Sequence, residues 1–320
     1  MSRVLRAGAI TAIVVLLAAC TSDGGASADP SQSTEASTQE SIGGSASIAP
    51  SASAAGDNCT ADEIETVNEG RLTIGTDNPA FPPYWDPPAD GETATDPWEL
   101  GDPTNKRGFE GAVAWAVAEQ MGFGDDEVDF IPVPFDVSFA PGEKDFDFYL
   151  AQVSFNEERA EVVDLSDGYF FSNQALVANA DTPITEAASI ADLAEYRLGV
   201  QVGTTSLSYI EEEIQPTTEA SVFNSNDAAI AALNADQVDG IVVDLPTAFF
   251  ITAAQMENGT IVGQFPPAGD EQEFFSLVLE QGSALTYCVN VAIATLEASG
   301  DLDAITQEWM SENAGAPLLE

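Results

Sequence analysis

An arginine in an acidic segment is the residue of this sequence best suited to bind a small anionic group. Arg159 follows an apolar run that ends at Ser154, and three glutamates lie within two residues of it. A guanidinium presents a planar fork of N–H donors that can bind both oxygens of one carboxylate. Arg159 is therefore a candidate for receiving a ligand carboxylate. The alternative is an exposed ion pair with the neighbouring glutamates, which would contribute little to stability.

A second candidate lies in a loop rich in aromatic residues. Asp77 follows the predicted strand 71–75, and three prolines and three aromatic residues come after it before position 86. Open α/β sheets place their ligand sites at the carboxyl ends of strands. The sequence therefore predicts a ligand site at this loop, in which Asp77 is either a ligand contact or a turn residue.

Two sets of strands and helices would position these residues. The first set comprises predicted strands at 71–75, 128–133 and 146–151 and helices at 60–70 and 109–121. The second set comprises predicted strands at 197–202 and 238–243 and a helix at 227–234. A strand at 274–279 and helices at 283–298 and 301–310 complete the predicted elements. Strands that alternate with helices indicate βαβ units with parallel strands, so the sequence predicts two α/β lobes.

The sequence is strongly acidic. It contains 54 aspartates and glutamates against 8 lysines and arginines, which gives a formal charge of −46, and it has no histidine. A field of this sign repels nucleic acid and anionic lipid headgroups, so neither is expected as a partner. The sequence shows no metal-ligand cluster and no glycine-rich phosphate loop, and we expect no cofactor and no metal. We interpret the excess of acid as an adaptation to a saline habitat, where salt screens self-repulsion.

The N-terminal segment has the pattern of an export signal. Two arginines precede an apolar run at 9–17 that is too short to span a bilayer, and the segment ends in Leu-Ala-Ala-Cys at Cys20. This resembles a bacterial lipobox, which predicts a signal peptide at 1–19 and a lipid anchor on Cys20. The alternative is an ordinary signal peptide. Residues 20–57 are rich in serine, alanine, glycine and acid and are predicted to be a disordered tether, which holds the exported protein on the outer face of the bacterial cytoplasmic membrane.

The two remaining cysteines are candidates for one disulfide. Cys59 lies at the start of the predicted folded region, and Cys288 lies in the predicted helix 283–298. An exported protein folds in an oxidising compartment, and an even number of cysteines suits pairing. The alternative is two unpaired, buried thiols.

Six segments of the chain occur in an order and at a spacing typical of one known family. They are LTIGTD at 72–77, GFE at 108–110, FD at 146–147, ERA followed by LSD between 158 and 167, VQVGTT at 200–205 and VDGIVVD at 238–244. Over about residues 70–312 the sequence resembles solute-binding protein family 3, the receptors of polar-amino-acid ABC transporters. Each segment alone is a weak signal, and the resemblance depends on all six in order.

The resemblance implies a periplasmic-binding-protein-like α/β fold with two lobes. Each lobe would hold a mainly parallel sheet flanked by helices, and two crossing strands would form the hinge. Carried onto this chain, the first lobe comprises residues 58–172 and 270–320, and the second comprises residues 173–269. The ligand would be gripped in the cleft between the lobes and enclosed by a hinge motion.

The resemblance also implies roles for particular residues. The ligand carboxylate would be bound by Arg159, Ser154, Thr205 and Thr204. The ligand ammonium would be bound by Asp244, and the side-chain pocket would be formed by Asp77, Phe81, Tyr84 and Phe135. An acid at position 77 makes a basic amino acid one of the candidate ligands. The alternatives are helix capping for the threonines and Asp244, and packing at the lip of the cleft for the aromatic residues.

The predicted function is that of the substrate-binding receptor of an ABC importer. It would capture a polar amino acid, basic ones included, and deliver it to a membrane permease, and it would act as a monomer. The alternatives are an exported enzyme of the same fold, similar to a dehydratase, and a ligand-sensing surface lipoprotein. We do not expect an enzyme, because the sequence has no histidine and its cysteines are expected to be lipid-anchored or paired.

Overall fold

The computed structural model of the protein describes residues 59–89, 92–269, 272–310 and 316–319. The predicted signal peptide, the predicted lipid anchor at Cys20 and the predicted tether up to residue 57 lie outside the described residues. Among the residues that are described, no helix is long and apolar enough to cross a membrane.

The described residues form twelve strands and eight α-helices. The strands are β1 (Leu72–Thr76), β2 (Val128–Pro132), β3 (Phe148–Tyr149), β4 (Asp164–Leu165), β5 (Phe170–Phe171), β6 (Gln174–Asn179), β7 (Leu198–Gln201), β8 (Ser221–Phe223), β9 (Gly240–Asp244), β10 (Gly259–Gln264), β11 (Phe274–Phe275) and β12 (Val278–Leu279). The helices are α1 (Phe109–Gln120), α2 (Phe135–Ser138), α3 (Glu157–Ala160), α4 (Thr205–Tyr209), α5 (Asn226–Asn234), α6 (Leu245–Phe250), α7 (Leu285–Ser299) and α8 (Asp301–Met310). Single π-helical turns at Ile210–Ile214 and Ile251–Gln255 continue α4 and α6.

A five-stranded sheet in the order β2-β1-β3-β12-β4 forms the centre of what we call the first lobe. Strand β1 runs parallel to β2 and β3, and β12 runs antiparallel to β3 and β4. All five residues of β1 are buried, and apolar residues of α1 and α7 belong to the same core. A Cβ atom at Gly75 would lie 2.9 Å from Cδ2 of Tyr149. Glycine at this position therefore allows the close approach of β1 to the Tyr149 ring.

A second five-stranded sheet, in the order β10-β6-β9-β7-β8, forms the centre of the second lobe. Strand β7 runs parallel to β8 and β9, whereas β6 runs antiparallel to β9 and β10. Each lobe has two apolar clusters that pack against its sheet. The predicted two-lobed α/β class is confirmed. The sheets are not mainly parallel as expected, because each has two parallel and two antiparallel strand pairs. The antiparallel pairs involve β12 in the first lobe and β6 in the second.

Two short strands form the crossing between the lobes. Strand β5 leads into β6 of the second lobe, and β11 follows the return from β10. They pair antiparallel, with Phe171 opposite Phe274 and Phe170 opposite Phe275. This small sheet is the predicted hinge of two crossing strands.

The predicted disulfide is present. Cys59 is bonded to Cys288 in α7 with a Cα–Cα distance of 5.3 Å, and the two residues are 229 positions apart in the sequence. The bond fixes the beginning of the described chain to the first lobe.

The helix predicted at 60–70 is wrong. The segment contains turns and one isolated bridge between Asn68 and Arg71. Its backbone donors are used by other partners, since the N–H of Val67 donates to Oδ1 of Asp147 at 2.8 Å. A helix would need that N–H for the carbonyl oxygen four residues earlier.

The end of the chain packs on the second lobe and not on the first, where the sequence analysis placed it. The backbone N–H of Gln264 in β10 donates to the carbonyl oxygen of Pro317 at 2.8 Å, and Leu319 donates back to Gln264 at 2.9 Å. Leu319 is 2% exposed and belongs to a core of the second lobe. A Cβ atom at Gly263 would lie 2.6 Å from Cγ of Leu319, so glycine makes room for this side chain. The segment packs there because β10 is an edge strand, whose backbone groups are free to pair, and because apolar residues of the second lobe surround Leu319.

Candidate functional site

One cleft brings together eight of the nine residues that the sequence analysis assigned to the ligand. The cleft holds about 590 Å³ of space, part of it open to solvent. The eight predicted ligand-binding residues that line it are Asp77, Phe81, Phe135, Ser154, Arg159, Thr204, Thr205 and Asp244. Several of them follow the carboxyl ends of β1, β7 and β9, which is where open α/β sheets place ligands.

Arg159 is positioned by a single helical turn. Asn156 precedes α3, and its side chain accepts a hydrogen bond from the backbone N–H of Arg159 at 2.7 Å. The arginine is 5% exposed, and its guanidinium donates to the carbonyl oxygens of Ser154 and Gly203, the second at 2.6 Å. The four salt bridges among the described residues all involve other cations. Arg159 is therefore not the exposed ion-pair partner that the sequence left open as an alternative.

Two aromatic rings lie against the guanidinium. Its Cζ atom is 4.6 Å from the ring centroid of Phe139 and 5.8 Å from that of Phe135. Burial lowers the pKa of Arg159 to about 10, although the charges of Glu273 and Asp244 oppose this. Arg159 is thus charged at neutral pH. Two of its five guanidinium N–H groups bond to carbonyls, and none of the others has a partner among the described residues. A buried cation with donors to spare is suited to a carboxylate.

The two threonines at the start of α4 use their hydroxyls differently. The Thr204 hydroxyl donates to the carbonyl oxygen of Gln201 at 2.9 Å and accepts a backbone N–H of the first turn at 3.2 Å. It therefore acts as the helix cap. The Thr205 hydroxyl lies 3.3 Å from Oγ of Ser154 and donates to Oε1 of Glu273 at 2.5 Å. Of the two, Thr205 is the one whose hydroxyl meets another predicted carboxylate-binding residue.

Asp244 lies at the N-cap position of α6, but its carboxylate caps no backbone N–H there. Its Oδ1 instead accepts from Nε2 of Gln174 at 2.8 Å, and the same nitrogen donates to Oε2 of Glu273 at 2.9 Å. The hydroxyl of Ser206 fixes the amide by donating to its oxygen at 2.5 Å. Burial raises the pKa of Asp244 to about 8, and the nearby charge of Glu273 contributes to the rise. Two carboxylates thus share one amide nitrogen beside the cleft.

The residues predicted to form the side-chain pocket divide into two groups. Asp77, Phe81 and Phe135 line the cleft. Burial raises the pKa of the Asp77 carboxyl, which accepts a hydrogen bond from the backbone N–H of Asn78 at 2.9 Å.

Tyr84 does not line the cleft. It is 1% exposed and packs edge to face on Phe275 with a centroid distance of 6.4 Å. Its hydroxyl lies 3.3 Å from Oγ1 of Thr247 in the second lobe. The side chain points into the core because the proline-rich loop folds back onto the first lobe, where the backbone N–H of Phe109 donates to the carbonyl oxygen of Pro83 at 2.8 Å.

Residues at or near the site that sequence reasoning missed include Glu273, Gln174, Gln152 and Phe139. Gln152 and Glu273 matter most for the chemistry. Glu273 directly precedes the predicted strand 274–279, and an acid before a strand carries no signal of a ligand site. Gln152 lines the cleft with a left-handed φ of 53°, and its backbone N–H donates to Oε1 of Glu110 at 2.7 Å.

Glu110 is a buried residue whose carboxylate accepts hydrogen bonds from Gln152, a residue that lines the cleft. It is 0% exposed and also accepts from the hydroxyl of Tyr169 at 2.5 Å. Burial raises its pKa to about 7. In the sequence it lies in the first turn of a helix, where an acid is commonly explained by the helix dipole. That ordinary explanation concealed its role in holding Gln152.

The two lobes, the paired crossing strands and the polar cleft between the lobes define a two-lobed small-molecule receptor. A family model described as bacterial extracellular solute-binding proteins, family 3, matches residues 91–312. The match covers more than half of the chain, and the protein belongs to this family. Among the described residues, no group of three or more histidines, cysteines, aspartates or glutamates is arranged to hold a metal ion.

Relatives of the chain are known as amino-acid-binding proteins. The L-cystine-binding protein TcyJ of Escherichia coli (strain K12) is 26% identical over 211 residues, which are 65% of this chain and 76% of the relative. The arginine-binding extracellular protein ArtP of Bacillus subtilis (strain 168) is 24% identical over 222 residues, which are 67% of this chain and 82% of the relative. The solved structure of an ancestral arginine-binding protein bound to arginine matches with a TM-score of 0.59 and 26% identity, over 75% of this chain and 98% of the other.

Proposed function

We propose that this protein is the substrate-binding receptor of an ABC importer and that it captures a polar amino acid in the cleft. The observation that carries the proposal is the buried guanidinium of Arg159, which has no carboxylate partner among the described residues and lies in one cleft with Asp244. An α-amino acid carries a carboxylate and an ammonium on one carbon. The cleft offers a cation for the first and an acid for the second.

The ligand carboxylate is assigned to Arg159, with Ser154 and Thr205 as further donors. The ligand ammonium is assigned to Asp244, whose carboxylate lines the cleft and accepts a hydrogen bond from Gln174. The side chain of the ligand extends towards Asp77, with Phe81 and Phe135 as apolar walls. Because Asp77 is an acid, basic amino acids are included among the ligands. The two relatives bind L-cystine and arginine by name, which supports a polar amino acid as the ligand.

A bound ligand contacts both lobes and so favours the closed cleft, since Arg159 belongs to the first lobe and Thr205 and Asp244 belong to the second. The protein then delivers its ligand to a membrane permease. Export, a lipid anchor at Cys20 and a monomeric state complete the proposal. Export agrees with the extracellular description of the family.

The deciding experiment is isothermal calorimetry with a panel of the twenty amino acids, ornithine and cystine. We expect saturable one-to-one binding of at least one polar member. Mass spectrometry of the ligand recovered after prolonged incubation should show it unchanged. Absence of binding across the whole panel would defeat the proposal, and conversion of a bound ligand would favour the enzyme of the same fold instead.

A further inference from the structure

Glu273 is a carboxylate of the cleft region that comes from the crossing between the lobes. It directly precedes β11, one of the two paired crossing strands. Its two oxygens are bound to residues of the second lobe, Oε1 to the hydroxyl of Thr205 at 2.5 Å and Oε2 to the amide of Gln174 at 2.9 Å. Both carboxylate oxygens of Glu273 are thus bound to the second lobe.

The residues around Glu273 are those assigned to the ligand carboxylate. The Thr205 hydroxyl that donates to Glu273 lies 3.3 Å from Oγ of Ser154, and the carbonyl oxygen of Ser154 accepts from Arg159. The charge of Glu273 is the largest charge effect on the pKa of Arg159, ahead of that of Asp244. Glu273 is nevertheless not in a salt bridge with Arg159. Its negative charge therefore lies beside the arginine without using its donors.

Glu273 and a bound ligand carboxylate would both need the hydroxyl hydrogen of Thr205. A threonine hydroxyl has one hydrogen to donate, and Glu273 accepts it in this structure. A ligand carboxylate at Arg159 would need the same hydrogen from Thr205. It would also place a second negative charge next to Glu273, and like charges at close range in a partly buried site repel strongly.

We propose that Glu273 is a specificity-determining residue that competes with the ligand carboxylate for the Thr205 hydroxyl and for the charge of Arg159. This inference rests on the proposed function, because it takes the ligand to be an α-amino acid. Binding then requires the Glu273 carboxylate to turn away from Thr205. Ligands that bring a second negative charge, such as acidic amino acids, are the most strongly disfavoured.

The test compares a free amino acid with its α-amide, which keeps the ammonium but has no carboxylate. Calorimetry would be run with L-arginine and L-argininamide and with L-glutamine and L-glutaminamide. The proteins are the wild type, Glu273→Gln and Glu273→Ala. We expect both substitutions to tighten binding of the free acid about tenfold, because one repelling charge is removed. Binding of the amide should change less than about twofold, since the amide brings no negative charge next to Glu273.

The matched control is Glu297→Gln, which removes the same charge from the exposed surface of α7. It should leave both affinities as they are. If the Glu273 variants bind the acid as the wild type does, or more weakly, competition is refuted. Weaker binding of both the acid and the amide would assign Glu273 to the ammonium site instead. If neither wild type nor variants bind any of the probes or any member of the amino-acid panel, the proposed function fails and this inference fails with it. Melting temperatures within a few degrees of the wild type would show that the variants are folded.

Discussion

The guanidinium of Arg159 donates a hydrogen bond to the carbonyl oxygen of Gly203 at 2.6 Å, so a side chain of the first lobe holds the backbone of the second. Gly203 lies in the turn between β7 and α4, with a φ of 73° that glycine adopts without strain. The residue that we assign to the ligand carboxylate is therefore also a link between the lobes. The same side chain is thus proposed to bind the ligand and also contacts both lobes.

Replacing Arg159 by alanine is expected to weaken amino-acid binding at least about 100-fold, because a bidentate charged contact is lost. Arg159→Lys should also bind poorly, since an ammonium cannot present two parallel donors. The control is Arg197→Ala, which removes the same charge from an exposed arginine paired with Asp239. Calorimetry on the three variants decides the matter, and equal affinities for Arg159→Ala and Arg197→Ala would refute the assignment.

The free energy of unfolding is expected to depend on pH through Asp244. Burial raises its pKa to about 8 from an ordinary 3.8, with a contribution from Glu273. A raised pKa stabilises the folded protein at low pH, and that stabilisation is lost as the pH rises towards 8. Urea unfolding at pH 5 and pH 8 should therefore show a smaller loss of stability for Asp244→Asn than for the wild type. Equal losses would show that Asp244 ionises in the folded protein as it does in the unfolded chain.

Amino-acid binding should release a proton below pH 8. The ligand ammonium requires the carboxylate form of Asp244, whose pKa of about 8 means that it holds a proton at neutral pH. Affinity is expected to rise by up to about tenfold per pH unit between pH 6 and 8. Calorimetry at pH 7 in two buffers of different ionisation enthalpy measures the proton directly. An apparent enthalpy that is the same in both buffers would argue against the coupling.

Loss of the disulfide is expected to lower the free energy of unfolding by about 2–5 kcal/mol, because the bond closes a long loop of the unfolded chain. The double variant Cys59→Ser with Cys288→Ser avoids a single exposed thiol. Urea unfolding of the wild type with a reducing agent should approach the value of the variant. Reductant should have no effect on the variant itself, which serves as the control.

The C-terminal segment offers a pair of neighbouring leucines for a matched test. Leu319 is 2% exposed and Leu318 is 47% exposed. Leu319→Ala should cost about 2–4 kcal/mol, as buried leucines usually do, whereas Leu318→Ala should cost less than about 0.5 kcal/mol. Thermal unfolding measures both. Similar melting temperatures for the two variants would show that the tail does not contribute to the core of the second lobe.

The architecture and much of the candidate site could be predicted because they depend on local signals. Strand-like runs followed by polar turns placed Asp77 and Asp244 at strand ends and Thr205 at the start of a helix, and the resemblance to solute-binding protein family 3 assigned the roles of these residues and of Arg159. Such features can be recognised one segment at a time. The structure then brings them together in one cleft.

The remaining features depend on contacts between distant segments. Glu273 acquires its position from Gln174 and Thr205, which are 99 and 68 residues away, and no pattern around residue 273 records this. The direction of Tyr84 is set by how its loop folds back. Likewise, Leu319 follows an exposed leucine in the sequence, and its burial depends on its packing against Gly263.

The bond between Cys59 and Cys288 also determines how the domain responds to a pull from its N-terminal side. Force applied to the chain before Cys59 enters the first lobe, both through the disulfide into α7 and along the chain towards β1. If Cys20 carries the anchor that we propose, a pull on the chain from the membrane would act on the first lobe.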